Sequence, residues 1–109
     1  MIITSSDIIA GKRVVKTLGL VKGNTVRARH IGKDILATLK NMTGGEIEEY
    51  TKLLAQSRDQ GKDRMISQAE QLGANAVINV RFTTSAVTGG AAELYAYGTA
   101  VILELEGEA

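Results

Sequence analysis

The chain has 109 residues, of which 44% are hydrophobic, enough for one domain with a substantial core. Its 13 basic and 12 acidic residues leave a net charge of +1, which gives no indication of a nucleic-acid or membrane partner. The chain has no cysteine, so disulfides, thiol catalysis and thiolate metal sites are excluded. We therefore expect a single domain over residues 1–109.

The opening segment, MIITSSDIIAG, has no basic start and no continuous apolar run, unlike a signal peptide. No stretch of the sequence approaches the roughly 20 apolar residues of a membrane span. These features predict a soluble, cytoplasmic protein.

In chain order, the first predicted element is a short apolar start at Ile2 and Ile3, followed by a turn at residues 5–7. Residues 12–21 then predict a strand with apolar side chains on both faces, which needs cover on both sides. One face would carry Val14, Leu18 and Leu20, and the other Val15 and Val21. The next residues, 22–24, predict a turn because they contain a glycine and an asparagine.

Two helices are predicted after this strand. In residues 26–42 the apolar side chains recur at spacings of four and three, which is typical of an amphipathic helix. Those side chains are Ile31, Ile35, Leu39 and Met42. Thr43 and Glu46, with two glycines between them, then form a capping box for a second helix that runs to Leu72.

The second predicted helix is long for a chain of this size. From Glu46 to Leu72 it would measure about 40 Å at 1.5 Å per residue. The expected diameter of the domain is only about 27 Å. The helix should therefore either kink near Gly61 or project at one end toward a neighbouring subunit.

The end of this helix leads directly into a strand. Gly73 follows the last apolar helical position, where a left-handed residue would close the helix. Residues 76–84 alternate in the period of a strand, and only three residues are left for the turn. One face would carry Ala76, Ile78, Val80 and Phe82, and the other Val77, Asn79, Arg81 and Thr83. So short a turn predicts that helix and strand pack as one αβ unit.

The last predicted elements are a loop over residues 85–90, a strand over residues 93–106 and a frayed acidic tail over residues 104–109. One face of the strand would carry Leu94, Ala96, Gly98, Ala100 and Ile102, and the other Tyr95, Tyr97, Val101, Leu103 and Leu105. Both faces are apolar, whereas one or two helices cover only one face of a small sheet. A second copy of the chain is the simplest cover for the other face.

The sequence resembles the YbjQ-like proteins, a family labelled as heavy-metal-binding. The segments that carry the resemblance span nearly the whole chain in the family's order. They are Ile2-Ile3-Thr4, Gly11-Lys12, Arg29-His30-Ile31-Gly32-Lys33-Asp34, Gly44-Gly45-Glu46, Tyr50, Leu72-Gly73-Ala74-Asn75-Ala76-Val77 and Gly98-Thr99-Ala100-Val101.

The resemblance implies an α+β fold similar to the dodecin subunit. It has a small antiparallel sheet with a β-α-β-β core, packed on a long helix plus one shorter helix. The resemblance also implies homopentameric rings in which short extra strands help the subunits to associate. It supplies no established function. The metal-binding label fits poorly, because one histidine and no cysteine give no cluster of soft-metal ligands.

The candidate site is a basic cluster, because residues 22–40 hold five basic residues against one acid, a local net charge of +4. Arg27, Arg29, His30 and Lys33 could bind an anion near the start of the first helix. Alternatively the cluster is a solvated face that pairs with acids of the same or the next subunit. His30 could be a metal ligand or a base, or simply a polar residue among cations that disfavour a bound metal ion.

Two further groups have simpler interpretations. Glu46, Glu48 and Glu49 could bind a hard cation, but acids in the first turns of a helix are what its dipole favours. A second set of residues lies on adjacent predicted strands, where the side chains would line a subunit interface or a small pocket. That set is Asn79, Arg81, Glu93, Tyr95 and Tyr97.

Three functional hypotheses follow. The first is a non-enzymatic, ring-forming homo-oligomer that binds a small molecule or anion at its subunit interfaces. The second is a metal-binding module that uses His30 with carboxylates, and the third is an enzyme of unknown reaction. We expect no catalytic residues, and the sequence identifies no cofactor.

Overall fold

The computed structural model of the protein describes residues 1–28, 44–87 and 91–107. In these ranges it contains four strands and one helix. They are β1 (Ile2–Ile3), β2 (Lys12–Ala28), α1 (Gly44–Gln71), β3 (Ala76–Val87) and β4 (Ala91–Leu105). The fold is therefore α+β, and the order β2-α1-β3-β4 is the expected β-α-β-β core.

The four strands form one sheet in the order β1-β3-β4-β2. β4 pairs antiparallel with β2 and β3, whereas β1 pairs parallel with β3, Ile2 opposite Ala76 and Ile3 opposite Val77. The prediction of an antiparallel sheet was wrong on this point. The sheet is mixed because the apolar start of the chain is itself a strand.

β2 is longer than the sequence indicates. The turn predicted at residues 22–24 was wrong, because these residues continue the ladder with β4 and Gly23 pairs with Ala96. The helix predicted at residues 26–42 was wrong at its start, because β2 extends to Ala28. The rest of that helix, with Thr43 of the capping box, lies outside the described residues.

Two irregularities move side chains of β2 away from their predicted faces. The ladder with β4 shifts register between Val14 and Lys16 and again between Thr17 and Gly19. As a result Leu18 packs against the same cluster as Val21, on the side of the helix, while Val14 pairs with Leu103 on the other face. The prediction that Leu18 shares a face with Val14 was wrong, since a bulge interrupts the two-residue period.

A third irregularity changes the faces of β3. Asn79 has a positive φ of 54°, and the ladder with β4 shifts register between Ile78 and Arg81. Val77 and Val80, three residues apart, therefore both pack against the helix. The predicted strict alternation along this strand was wrong from Asn79 onward.

The helix α1 is one uninterrupted element of 28 residues, which corresponds to about 42 Å. It continues through Gly61, and the molecule is 58 Å in its longest dimension. At the other end Gly73 has φ 83°, Gly73 N–H donates to Glu70 O, and Ala74 N–H donates to Ala69 O. This is a Schellman cap, and it confirms the predicted left-handed glycine at the helix end.

Two apolar clusters lie on opposite faces of the sheet. The larger one fills the space between helix and sheet, with Met65 and Ala69 of α1 against Val21, Val77, Val80, Ala96 and Ala100. The smaller one, Ala76, Ile78, Val101 and Leu103, lies on the other face, where among the described residues Ile9 packs against it.

The ends of β3 and of β4 both differ from the prediction. The loop predicted at residues 85–90 was wrong for residues 85–87, which belong to β3, and residues 88–90 lie outside the described residues. The tail predicted to fray from residue 104 was wrong for Glu104 and Leu105, which pair with β2. Glu106 N–H donates to Gly11 O at 3.0 Å, so the pairing continues one residue further.

Candidate functional site

The sheet face opposite α1, here called the open face, has no helix over it among the described residues. Its side chains form rows across β2, β4 and β3, because residues paired in register point to the same side. Successive rows are Leu20–Thr99–Ile78, Lys22–Tyr97–Arg81 and Asn24–Tyr95–Thr83.

The apolar part of the open face is only partly covered. Val101 and Ile78 are buried beneath Ile9, but Leu20 is 67% exposed. Leu105, at the end of β4, is 49% exposed. An exposed leucine beside a buried apolar cluster indicates a surface that a partner can cover.

The polar part of the open face begins at the next row. Tyr97 lies between Lys22 on β2 and Arg81 on β3, and its ring is tilted against that of Tyr95 with 5.5 Å between the centroids. Asn24 Nδ2 donates to Glu93 Oε2 at 3.1 Å. This part combines aromatic surface with a cation on each side.

Four residues of the predicted interface set lie together here: Arg81, Glu93, Tyr95 and Tyr97. The fifth, Asn79, forms the bulge in β3 and its backbone N–H donates to Ser6 O. The sequence prediction missed Lys22 and Asn24, which it placed in a turn. The local sequence did not decide between strand and turn here, because Gly23 is compatible with both.

Arg81 is held by the backbone around it. Its guanidinium Nη1 donates to Ser5 O at 2.7 Å and to Val80 O at 2.9 Å. These bonds fix the cation at the outer edge of β3, where β1 ends.

The helix protects part of the outer edge of β2. Gln68 Oε1 accepts a hydrogen bond from Lys22 N–H at 2.7 Å, and the Arg64 guanidinium donates to Asn24 O. Lys22 and Asn24 thus use side chains of α1 where a neighbouring strand would otherwise pair. No local pattern in the sequence signals these contacts.

The predicted anion cluster is only partly within the described residues. Arg27 lies in β2 opposite Ala92, whereas Arg29, His30 and Lys33 lie outside the described residues. Glu46, Glu48 and Glu49 lie in the first two turns of α1. The described ranges contain no group of three or more His, Cys, Asp or Glu placed to hold a metal ion. They also contain no helix long and apolar enough to cross a membrane.

These features define the class: over the described residues the protein is a small α+β domain with one helix on a mixed four-stranded sheet, and the second sheet face is open. The chain belongs to the YbjQ family, whose description is "Putative heavy-metal-binding" and whose model matches residues 1–104. The resemblance found in the sequence is thereby confirmed.

The chain is similar to UPF0145 proteins of bacteria and archaea. It is 57% identical to one from Dehalococcoides mccartyi strain BAV1 over 95% of this chain and 100% of that protein. It is 59% identical to one from Archaeoglobus fulgidus, over 94% of this chain and 95% of that protein. With the UPF0145 protein of Pyrococcus furiosus it shares 49% identity over 97% of this chain and 93% of that protein.

A solved structure has the same fold. It is a protein of unknown function from Pediococcus pentosaceus, assigned to the DUF74 family, with a TM-score of 0.63 and 19% identity. The match covers 95% of this chain and 98% of that one. At this identity the likeness concerns the fold alone.

Proposed function

We propose that this protein is a non-enzymatic homo-oligomer, a ring of five subunits, that binds a small molecule or anion at its subunit interfaces. The observation that carries the proposal is the open face. Within the described ranges its apolar cluster is covered by Ile9 alone, and Leu20 is 67% exposed beside it. Burying a leucine of this kind contributes about 1.5–3 kcal/mol per side chain, which favours association.

A ring requires contacts between two different surfaces of the subunit, because a head-to-tail contact that closes on itself generates a cyclic assembly. The number five rests on the resemblance to the YbjQ-like family. Assembly as such is supported by the open face and by the elongated subunit, which is 58 Å long.

The ligand class we propose is an anion. On the open face Lys22 and Arg81 are the strand neighbours of Tyr97 on either side, and the Arg81 guanidinium is held at the outer edge of β3 by Ser5 O and Val80 O. β2 then continues from Lys22 to Arg27 and leads into the segment with Arg29, His30 and Lys33. In the proposed site the anion is bound by the cations that lie close together in the sequence between Lys22 and Lys33, together with those of a neighbouring subunit.

Metal binding is the second candidate, and the family's description is what favours it. The chain could offer only His30, carboxylates and backbone carbonyls, since it has one histidine and no cysteine. This donor set suits soft heavy metals poorly. The third alternative, an enzyme, gains no support from the arrangement of the described residues.

Native mass spectrometry of the untreated protein tests the proposal directly, because it reports stoichiometry and any retained ligand together. We expect a species of five times the 11.6 kDa subunit mass, with additional mass if the ligand is retained. A single 11.6 kDa species at micromolar concentration would overturn the proposed assembly.

A further inference from the structure

A groove lies at the outer edge of β3, beside β1 and α1. It has a volume of about 450 Å³, which is within the range of small-molecule sites. Its lining includes Ile3, Thr4, Lys62, Val80, Arg81 and Phe82. All of these residues belong to one subunit, so a ligand in the groove does not require the proposed assembly.

The apolar wall of the groove is long and narrow. Ile3 and Val80 pack with the cluster on the helix side of the sheet, and Phe82, which is 48% exposed, pairs with Ala96 of that cluster. The strand pairings place Ile3 level with Ala100, four residues along β4 from Ala96. At 3.3 Å per residue the wall is about 13 Å long. This shape matches a linear hydrocarbon chain.

Two cations border the apolar wall. Arg81 Nη1 donates to Ser5 O at 2.7 Å and to Val80 O at 2.9 Å, which holds the guanidinium in place. Its remaining N–H groups have no partner among the described residues. Lys62 is half-buried, and no described residue forms an ion pair or a hydrogen bond with it. None of the described lining residues is acidic, so the charge of the groove is complementary to an anion.

Both cations belong to the end of the groove at Phe82. Arg81 precedes Phe82 in β3, and Gly61, which precedes Lys62 in α1, lines a smaller cavity together with Phe82. Ile3 lies at the opposite end. The groove thus has one cationic end and one apolar end.

We propose that this groove binds a fatty acid, a carboxylate with a linear hydrocarbon chain. The carboxylate pairs with Lys62 and with the remaining guanidinium N–H groups of Arg81, and the chain lies along Phe82, Val80 and Ile3. Because two backbone carbonyls already hold Arg81, little side-chain freedom is lost when the ligand binds.

Isothermal titration calorimetry of the full-length protein with sodium dodecanoate, at neutral pH and below the micellar concentration, tests the proposal. We expect one dodecanoate per subunit. Decanoate and octanoate should bind more weakly, by about two- to fourfold for each methylene removed, because less apolar surface is buried. Dodecan-1-ol has the same chain without the charge and should bind at least about tenfold more weakly than dodecanoate.

Variants test the two ends of the contact. Lys62→Gln should lower the affinity for dodecanoate about tenfold, and Lys62→Arg should retain it. Lys52→Gln removes an exposed cation of α1 outside the groove lining and is the matched control, which should bind as the wild type does. Phe82→Ser should weaken the binding of every chain length, because part of the apolar wall is lost. Circular dichroism checks that each variant is folded.

The outcomes decide between this site and its alternatives. Absence of dodecanoate binding, or equal affinity in wild type, Lys62→Gln and Phe82→Ser, would overturn the proposal. Equal affinity for octanoate and dodecanoate would show that the chain does not follow the wall. Tighter binding of dodecyl phosphate than of dodecanoate would assign the groove to a phosphate head group instead. None of these results depends on the number of subunits, which native mass spectrometry tests separately.

Discussion

Gly73 is the residue on which the connection between α1 and β3 depends. Its φ of 83° lies in the left-handed region, and the cap it forms directs the chain into β3 within three residues. A Cβ added at Gly73 would meet no atom within 4 Å, so the site has space for a side chain. The constraint is therefore conformational, not steric crowding by neighbours.

Replacing Gly73 with valine should destabilise the fold by about 1–3 kcal/mol, because a β-branched residue is strained in the left-handed region. Gly73→Asn is the matched control, since asparagine tolerates this conformation better, and it should lose less stability. Thermal unfolding at one protein concentration measures both. Equal melting temperatures for wild type and Gly73→Val would contradict the prediction.

His30 is the residue on which a metal function would depend. Arg27, Arg29 and Lys33 surround it in the sequence and would raise the energy of a bound divalent ion. At an effective dielectric of 20, one such cation about 8–16 Å from a divalent ion would raise the energy of that ion by on the order of 2–4 kcal/mol before salt screening.

We therefore expect the purified protein to carry no stoichiometric zinc, copper or iron, and His30→Ala to assemble as the wild type does. Elemental analysis by mass spectrometry measures the metal, and light scattering measures the assembly. One metal ion per subunit that disappears in His30→Ala would instead establish the metal-binding alternative.

At the scale of elements, α1 and β2 cross with their backbones in close contact. Gly23 and Gly61 are both buried at the crossing, and a Cβ on Gly23 would overlap Gly61 O and lie 2.8 Å from Arg64 Cβ. The close approach places Gln68 and Arg64 within reach of the edge of β2. Glycine in the middle of a strand marks such an approach.

Gly23→Ala should destabilise the protein by about 1–3 kcal/mol, since backbone atoms of the helix must move to admit the methyl group. Gly61→Ala is the matched control, because its Cβ would lie 3.3 Å from Gly23 O, a tight contact but one without overlap. Alanine has a better helix propensity than glycine by about 1 kcal/mol, and this gain should offset much of the energetic cost of that contact. Chemical unfolding of both variants measures the difference, and equal losses would show that the crossing can relax.

The elements that the sequence predicts well are those with a local signal. The end of α1 has a glycine after the last apolar position, and β3 and β4 have a two-residue period, so their existence and order could be inferred. In the sequence, Gly23 is compatible with either a turn or a close approach of two backbones. Only the crossing of β2 with α1 shows that the close approach is correct. The bulges at Leu18 and Asn79 likewise depend on packing between distant segments.

The same distinction applies to the candidate site. Tyr95, Tyr97 and Arg81 could be placed together because the alternation of two neighbouring strands puts them in adjacent rows. Lys22 could not, because the turn assigned at Gly23 removed it from the strand. The contacts of Gln68 and Arg64 with β2 join residues at least 40 positions apart, and no local pattern predicts them.

At the scale of the whole molecule, the two faces of the sheet differ in how much of each is covered. α1 covers one face and also closes part of the β2 edge, while the open face keeps an exposed leucine next to buried apolar residues. A monomer would gain nothing from leaving Leu20 in water, whereas an assembly that buries it gains stability from the same side chain.

Leu20→Lys should therefore dissociate the assembly. In an isolated subunit a change at a position that is 67% exposed should alter stability by no more than about 0.5 kcal/mol. In the assembly the same change would remove about 1.5–3 kcal/mol of apolar burial per subunit and place an ammonium group in the interface.

Leu72→Lys is the matched control, because Leu72 is 47% exposed at the end of α1, where a cation suits the helix dipole. Light scattering at micromolar concentration should show the assembly for wild type and Leu72→Lys, and an 11.6 kDa species for Leu20→Lys. If Leu20→Lys keeps the mass of the wild type, the open face is not the interface.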